Sequence, residues 1–317
     1  MTTVLETDGL RREFGKLVAV DDVTVDIDSA DITSIIGPNG AGKTTFYNLL
    51  AGQLEPTAGR VRIKPRNGDG LTEVTGMDPY EITELGLARA FQINNLFEGL
   101  TVLDNVRIAR ISRDGRTLDL TARATGDEAL TEGAWEVIEL TDLGEVAETK
   151  CANLSHGDAR KVEIALALGT DPSVVLLDEP TAGMNASETN RMVDLVRDLN
   201  ASTDTTFVLT EHDMEVVLGI SDRIVVLDNG GVIAAGTPED VMADERVREA
   251  YLGGDSEGDS GDGASGDSMR ANDPGANEDN GATSGHEGSS EIGGDGSGRS
   301  TGRDGDDGEG GDGGERS

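Results

Sequence analysis

The short run Ile32-Thr33-Ser34-Ile35-Ile36 leads into Gly37-Pro38-Asn39-Gly40-Ala41-Gly42-Lys43-Thr44, and no other junction limits so strongly what this chain can fold into. An apolar run of that length reads as a buried strand. The stretch Thr44 to Ala51 reads as a helix, with Gly52 placed to cap its C-terminus. The loop between them fits G-x-x-x-x-G-K-[ST]. Its glycines let backbone N–H groups converge on the oxygens of one anion, and the helix N-terminus adds its dipole. Strand, glycine loop and helix in that order form the context a phosphate loop requires. Lys43 then reaches β- and γ-phosphates, and the Thr44 hydroxyl is a ligand for Mg2+.

A second constraint lies 130 residues on. The apolar strand Val174–Leu177 ends in Asp178-Glu179-Pro180. A carboxylate at the C-terminal edge of a strand, here Asp178, is suited to holding Mg2+ through water. Its neighbour Glu179 points to a different side and is placed to polarise an attacking water as general base. Thr206–Leu209 reads as a further buried strand of a parallel sheet. Val18, Val20, Val23, Val25 and Ile27 suit strands with one face inward. Arg223 to Ala235 reads as a hairpin turning at Asn229-Gly230-Gly231. From Ile93 to Lys150 the pattern turns helical, with Leu103, Val106, Ile108 and Ile111, then Trp135, Ile138, Leu140 and Leu143, recurring two or three residues apart. The reading is an α/β core with a mostly helical insertion and no internal repeat.

Composition separates that core from the rest of the 317 residues. Positions 253–317 hold 21 Gly, 17 acidic residues and 4 Arg. Such a segment buries too little apolar surface to offset its chain entropy and is expected to be disordered. The remaining 252 residues suffice for one domain with a full core. Of the net charge of −36, the tail carries −13 and residues 1–252 the other −23, with five Lys against 21 Arg in the chain. That acidic, Lys-poor balance looks like adaptation to high internal salt. It supplies no basic stripe and argues against nucleic acid as a partner. The single cysteine, Cys151, excludes an internal disulfide, fits a reducing compartment and reads as a small buried filler. No apolar run is long enough to span a bilayer, and the first residues lack the pattern of a signal peptide.

With Leu154-Ser155-His156-Gly157-Asp158 added, about twenty residues before the carboxylates, the chain resembles the ATP-binding subunits of ABC transporters over residues 4–252. The family motif is Leu-Ser-Gly-Gly-Gln, so Ser155 and Gly157 match while His156 and Asp158 depart. The resemblance implies a P-loop NTPase fold: a RecA-like parallel sheet, an antiparallel β subdomain, and a helical subdomain over about 93–157. It also implies ATP and Mg2+ as cofactors and ATP hydrolysis as the activity. ATP contacts fall on Gly37, Pro38, Asn39, Gly40, Ala41, Gly42, Lys43, Thr44 and Thr45, with Phe14 stacking on adenine. Gln92 is similar to the glutamine that senses Mg2+ and the γ-phosphate. His212 is similar to the histidine that touches the γ-phosphate. Ser155 and Gly157 meet the ATP held by a second protomer. Catalysis rests on Glu179, His212 and Lys43, and the metal on Thr44, Gln92 and Asp178. The departure at Asp158 bears on the surroundings of that contact, and His156 reads as a tolerated substitution.

Gly183-Met184-Asn185, the run Phe91 to Val102, Glu211-His212-Asp213-Met214 and the ending Tyr251-Leu252-Gly253 resemble the ATPases of branched-chain amino acid importers. Urea and amide importers belong to the same branch, so the solute stays open. The implied partners are two integral-membrane permease subunits, a second ATPase subunit (a copy or a paralogue) and, indirectly, an extracellular solute-binding protein. The implied place is the cytoplasmic face of the membrane. A soluble ABC ATPase of DNA repair or translation is the alternative, disfavoured by the short insertion and the single domain. A P-loop GTPase or kinase would leave Ser155, Gly157 and His212 without a role.

Overall fold

The computed structural model describes residues 2–90, 96–113 and 128–252. The sequence expectations for Gln92 and for the acidic tail lie outside these. Among the described residues the strands are β1 (Thr3–Phe14), β2 (Leu17–Asp28), β3 (Thr33–Ile36), β4 (Ala58–Ile63), β5 (Thr72–Glu73), β6 (Leu87–Ala90), β7 (Val174–Asp178), β8 (Thr206–Thr210), β9 (Arg223–Asp228) and β10 (Gly231–Gly236). The helices are α1 (Lys43–Leu50), α2 (Pro79–Leu85), α3 (Val102–Arg113), α4 (Glu128–Leu140), α5 (His156–Gly169), α6 (Ala186–Ser202), α7 (Met214–Ile220), α8 (Pro238–Ala243) and α9 (Glu245–Leu252).

The strands form two sheets. The larger runs β10-β9-β3-β8-β7-β6. Its neighbours from β9 to β6 pair in parallel, and β10 closes one edge as an antiparallel hairpin with β9. That hairpin turns at Asn229 and Gly230, both at positive φ, as a two-residue primed turn demands. The smaller sheet, β2-β1-β4-β5, is antiparallel.

Both faces of the parallel sheet are covered, so its strands are apolar without a polar side. Val174 and Leu176 of β7 face a core shared with α1 and the antiparallel sheet. Val175 and Leu177 face a second core built with α3, α4, α5 and α6. Helix α1 packs Phe46, Tyr47, Leu49 and Leu50 into the first of these. It thereby anchors the glycine loop from behind.

Strand β2 departs from simple alternation, since Val20 and Val23 lie three apart and both are buried. A register shift against β1 falls between them, with Asp22 at φ 54. The extra residue of this bulge restores the inward face.

The helices expected between residues 93 and 150 are present as α3 and α4. In α3 the buried side chains include Val102, Leu103, Val106, Ala109 and Ile111, while Ile108 is only half-buried. In α4 they are Leu130, Ala134, Val137 and Ile138, and Leu140 is exposed. Cys151 is buried, receives the Asn105 side-chain amide at 3.3 Å and has its thiol pKa pushed up by burial. That is the filler role read from the sequence. Among the described residues no helix is long and apolar enough to cross a membrane.

Candidate active site

Three parallel strands end at one edge of the sheet, and each delivers part of the site. The glycine loop follows β3, Asp178 and Glu179 end β7, and His212 lies two residues past β8. Ligands of open α/β sheets bind outside these carboxyl ends. The sequence separation between the three segments vanishes because β3, β8 and β7 are adjacent.

The loop is closely packed. Gly42 caps the N-terminus of α1 at φ 101, and a Cβ there would run into the Ala19 carbonyl. Gly37, at φ 154, is pressed equally against the Leu227 carbonyl. Lys43 folds its ammonium back over the loop, donating to the carbonyls of Gly37 at 2.7 Å and Pro38 at 3.1 Å. Burial lowers its pKa, and the charges of Glu179 and Asp178 partly offset this. In front of the loop lies a cavity of about 500 Å3 bordered by Asn39 to Thr45, Phe14, Glu179 and His212. Phe14 is 44% exposed and borders the cavity, so it belongs to no core; the Arg12 guanidinium lies 4.8 Å from its ring centroid. Thr44 is exposed and Thr45 half-buried.

Glu179 and His212 meet across the cavity, with His212 Nε2 2.6 Å from Glu179 Oε1. Glu179 takes φ 52, a left-handed conformation that costs most non-glycine residues free energy. Its N–H is held by the carbonyl and hydroxyl of Thr210. Asp178 is engaged on both oxygens. Thr210 Oγ1 donates to Oδ1 at 2.7 Å, and Arg89 Nη2 donates to Oδ2 at 2.8 Å. Next to His212, the buried Glu211 accepts from the N–H and hydroxyl of Thr181 at 2.9 and 2.7 Å. Burial raises its pKa, and the Thr181 hydrogen bonds work against the rise.

The fit to a nucleotide rests on these features: a glycine loop closed to side chains at Gly37 and Gly42, a buried ammonium and a cavity of matching size. Among the described residues no three His, Cys, Asp or Glu side chains cluster to hold a metal. The Thr44 hydroxyl and the Asp178 carboxylate are oxygen donors, the ligand type that Mg2+ takes.

Ser155 and Gly157 do not border this cavity. Ser155 caps α5, accepting from the Asp158 N–H at 3.1 Å and donating to its carboxylate at 2.7 Å. Asp158 thus holds the Ser155 hydroxyl directly. His156 Nε2 lies 3.4 Å from the carbonyl of Ala182, in the turn after Glu179. Sequence reasoning missed Arg89, Thr210 and Glu211. Arg89 had a signal, a lone charge inside the strand Leu87-Ala88-Arg89-Ala90 three residues before Gln92, since a buried charge demands a partner.

Fold and site together define a P-loop ATPase. The family model described as "ABC transporter" matches residues 20–182, and one described as "Branched-chain amino acid ATP-binding cassette transporter" matches residues 232–257. The high-affinity branched-chain amino acid transport ATP-binding protein LivG of Salmonella typhimurium is 38% identical over 257 residues, 79% of this chain and 98% of that protein. BraF of Pseudomonas aeruginosa, of the same description, is likewise 38% identical over 79% of this chain and 98% of its own. A nucleotide-free ATP-binding cassette of an ABC transporter superposes with a TM-score of 0.68 at 31% identity, over 79% of this chain and 99% of its own. The ADP conformation of such a cassette gives 0.70, also at 31%, over 80% and 100%. The chain belongs to the ATP-binding subunits of ABC transporters, in the branch of the branched-chain amino acid cassettes.

Proposed function

We propose that this chain powers import of branched-chain amino acids by hydrolysing ATP against two membrane permease subunits, at the cytoplasmic face of the membrane. The observation that carries the reading is the 2.6 Å contact of His212 with Glu179 at the mouth of the phosphate-loop cavity. Phe14 offers its ring to adenine, and the loop from Gly37 to Thr45 takes the phosphates. Lys43 exchanges its two carbonyl contacts for phosphate oxygens. Thr44, Asp178 and Gln92 would hold Mg2+, which neutralises phosphate charge when bound. Glu179 accepts a proton from the attacking water as that water bonds to the γ-phosphorus and the bond from that phosphorus to the β–γ bridging oxygen breaks, leaving ADP and phosphate. His212 turns its ring from Glu179 toward a γ-phosphate oxygen and holds the phosphoryl group as it is transferred.

Ser155 and Gly157, absent from this cavity, complete the site on a second ATPase subunit, so that two chains enclose two ATP. A solute-binding protein outside the cell delivers the solute to the permeases. The acidic surface, with −23 of formal charge on residues 1–252, suits a cell interior of high salt.

The test is uptake of labelled leucine and labelled urea in a strain lacking this chain, complemented by wild type or Glu179→Gln. Loss of leucine uptake restored by wild type alone is expected. Unchanged leucine uptake with lost urea uptake moves the solute to urea or amides. Light scattering of Glu179→Gln at saturating ATP is expected to show a dimer, and a monomer there refutes the two-chain site.

A further inference from the structure

Strand β6 pairs in parallel with β7, setting Arg89 opposite Leu176 and Ala90 opposite Leu177. The Arg89 side chain is only 7% exposed. A buried guanidinium is costly unless charge and hydrogen bonds compensate. Among the described residues Asp178 is the one carboxylate in ion-pair contact with it. Its other contacts are neutral: Nη1 donates to Asn48 Oδ1 at 2.6 Å and Gln53 Oε1 at 3.1 Å. The guanidinium carbon lies 5.7 Å from the Tyr47 ring centroid. Tyr47 and Asn48 sit on α1, the helix that opens with Lys43. One side chain therefore joins three pieces: the helix behind the phosphate loop, the carboxylate ending β7, and the strand that runs toward Gln92. The chemistry assigned to the site so far uses none of this.

We propose that Arg89 is a positioning residue whose charge restrains divalent-ion binding at Asp178 until nucleotide phosphates are present. The proposal rests on the ATPase reading above. A cation in contact with Asp178 cancels much of the field that would draw in a bare metal ion, so protein ligands alone hold the ion poorly. Phosphate oxygens supply the missing negative charge when ATP arrives. The ion pair also fixes where the Asp178 carboxylate points, because Thr210 takes one oxygen and Arg89 the other. The fork of the guanidinium reaches Asp178, Asn48 and Gln53 together, which a lysine ammonium in a single position does not reproduce.

The experiment measures Mn2+ binding by electron paramagnetic resonance, with and without a non-hydrolysable ATP analogue, beside steady-state ATPase kinetics. Arg89→Gln is expected to tighten Mn2+ binding without nucleotide by about fivefold or more, the scale expected for losing a unit charge a few ångströms away in a partly screened site. Adding Asp178→Asn to that variant is expected to remove the gain. Arg89→Lys keeps the charge and is expected to hold Mn2+ affinity within about twofold of wild type, while kcat falls and KM for ATP stays. Mn2+ affinity unchanged in Arg89→Gln, with only the melting temperature lowered, overturns the proposal and leaves a structural ion pair. If Arg89→Gln does not fold, Arg89→Lys decides, and wild-type kcat in that variant overturns the positioning role. Wild type that binds neither the ATP analogue nor Mn2+ in its presence defeats the ATPase reading itself, a result distinct from either.

Discussion

Glu179, the proposed general base, has a left-handed backbone at φ 52, and the cost of that conformation can be measured. A side chain with a Cβ loses roughly 1–2 kcal/mol in this region relative to glycine. Glycine in turn gives up about 0.4–1 kcal/mol through the greater freedom of the unfolded chain. Replacing Glu179 by Ala deletes the carboxylate and its contact with His212 but keeps the Cβ. Replacing it by Gly deletes the same contact and removes the strain. The expected difference is about 0.5–1 kcal/mol in favour of Glu179→Gly. For a folded body of this size that is a melting temperature about 1–4 °C above that of Glu179→Ala. Both variants lose the proton acceptor, so both are expected to lack ATPase activity, and the stability comparison is free of turnover. Thermal unfolding by circular dichroism, without nucleotide and at one fixed salt concentration, reads the difference. A Glu179→Ala variant as stable as Glu179→Gly refutes the strain argument and places the positive φ among tolerated conformations.

His212→Ala, which removes the group 2.6 Å from the Glu179 carboxylate, is expected to lower kcat about 100-fold or more in steady-state ATPase assays, with little change in KM for ATP. Burial raises the pKa of Glu211, so the folded protein holds that proton more tightly than the unfolded chain. Its contribution to stability is present below the ordinary glutamate range and is lost as pH rises through the raised pKa. Asp31 and Glu163 are also raised by burial and act in the same direction. The informative quantity is therefore the difference between wild type and Glu211→Gln, whose melting temperature is expected to fall less between about pH 4 and pH 7; parallel curves refute it. Deleting residues 255–317, which carry all 17 acidic residues of the tail in a segment poor in apolar anchors, is expected to leave ATPase activity unchanged, and a large change in either direction assigns that segment a regulatory role.

The elements legible in the sequence are those with a local cause. The turn at Asn229-Gly230 was legible because two successive positive φ values call for those residues. Strands β3, β7 and β8 were legible as apolar runs because both faces of their sheet are covered. Strand β1 was not. It shifts register against β2 four times and carries Gly9, Arg11 and Arg12, so it shows neither alternation nor an apolar run. Ile108 and Leu140 come two residues after Val106 and Ile138, about 200° around the helix, and so stay out of the core that those two side chains enter.

The sequence by itself determined the phosphate loop, the paired carboxylates and the histidine after a strand, since each is a contiguous motif whose chemistry follows from residue type and local backbone. It also determined the family, through motifs spread over most of the folded body. Tertiary structure alone decided that Glu179 touches His212, that Arg89 and Thr210 divide the oxygens of Asp178, and that Ser155 and Gly157 stand outside the cavity holding Lys43. These facts depend on which strands lie side by side. The parallel strand pairs join residues from 32 apart (Val174 and Thr206) to 190 apart (Thr33 and Arg223) along the chain, and no local pattern encodes that adjacency.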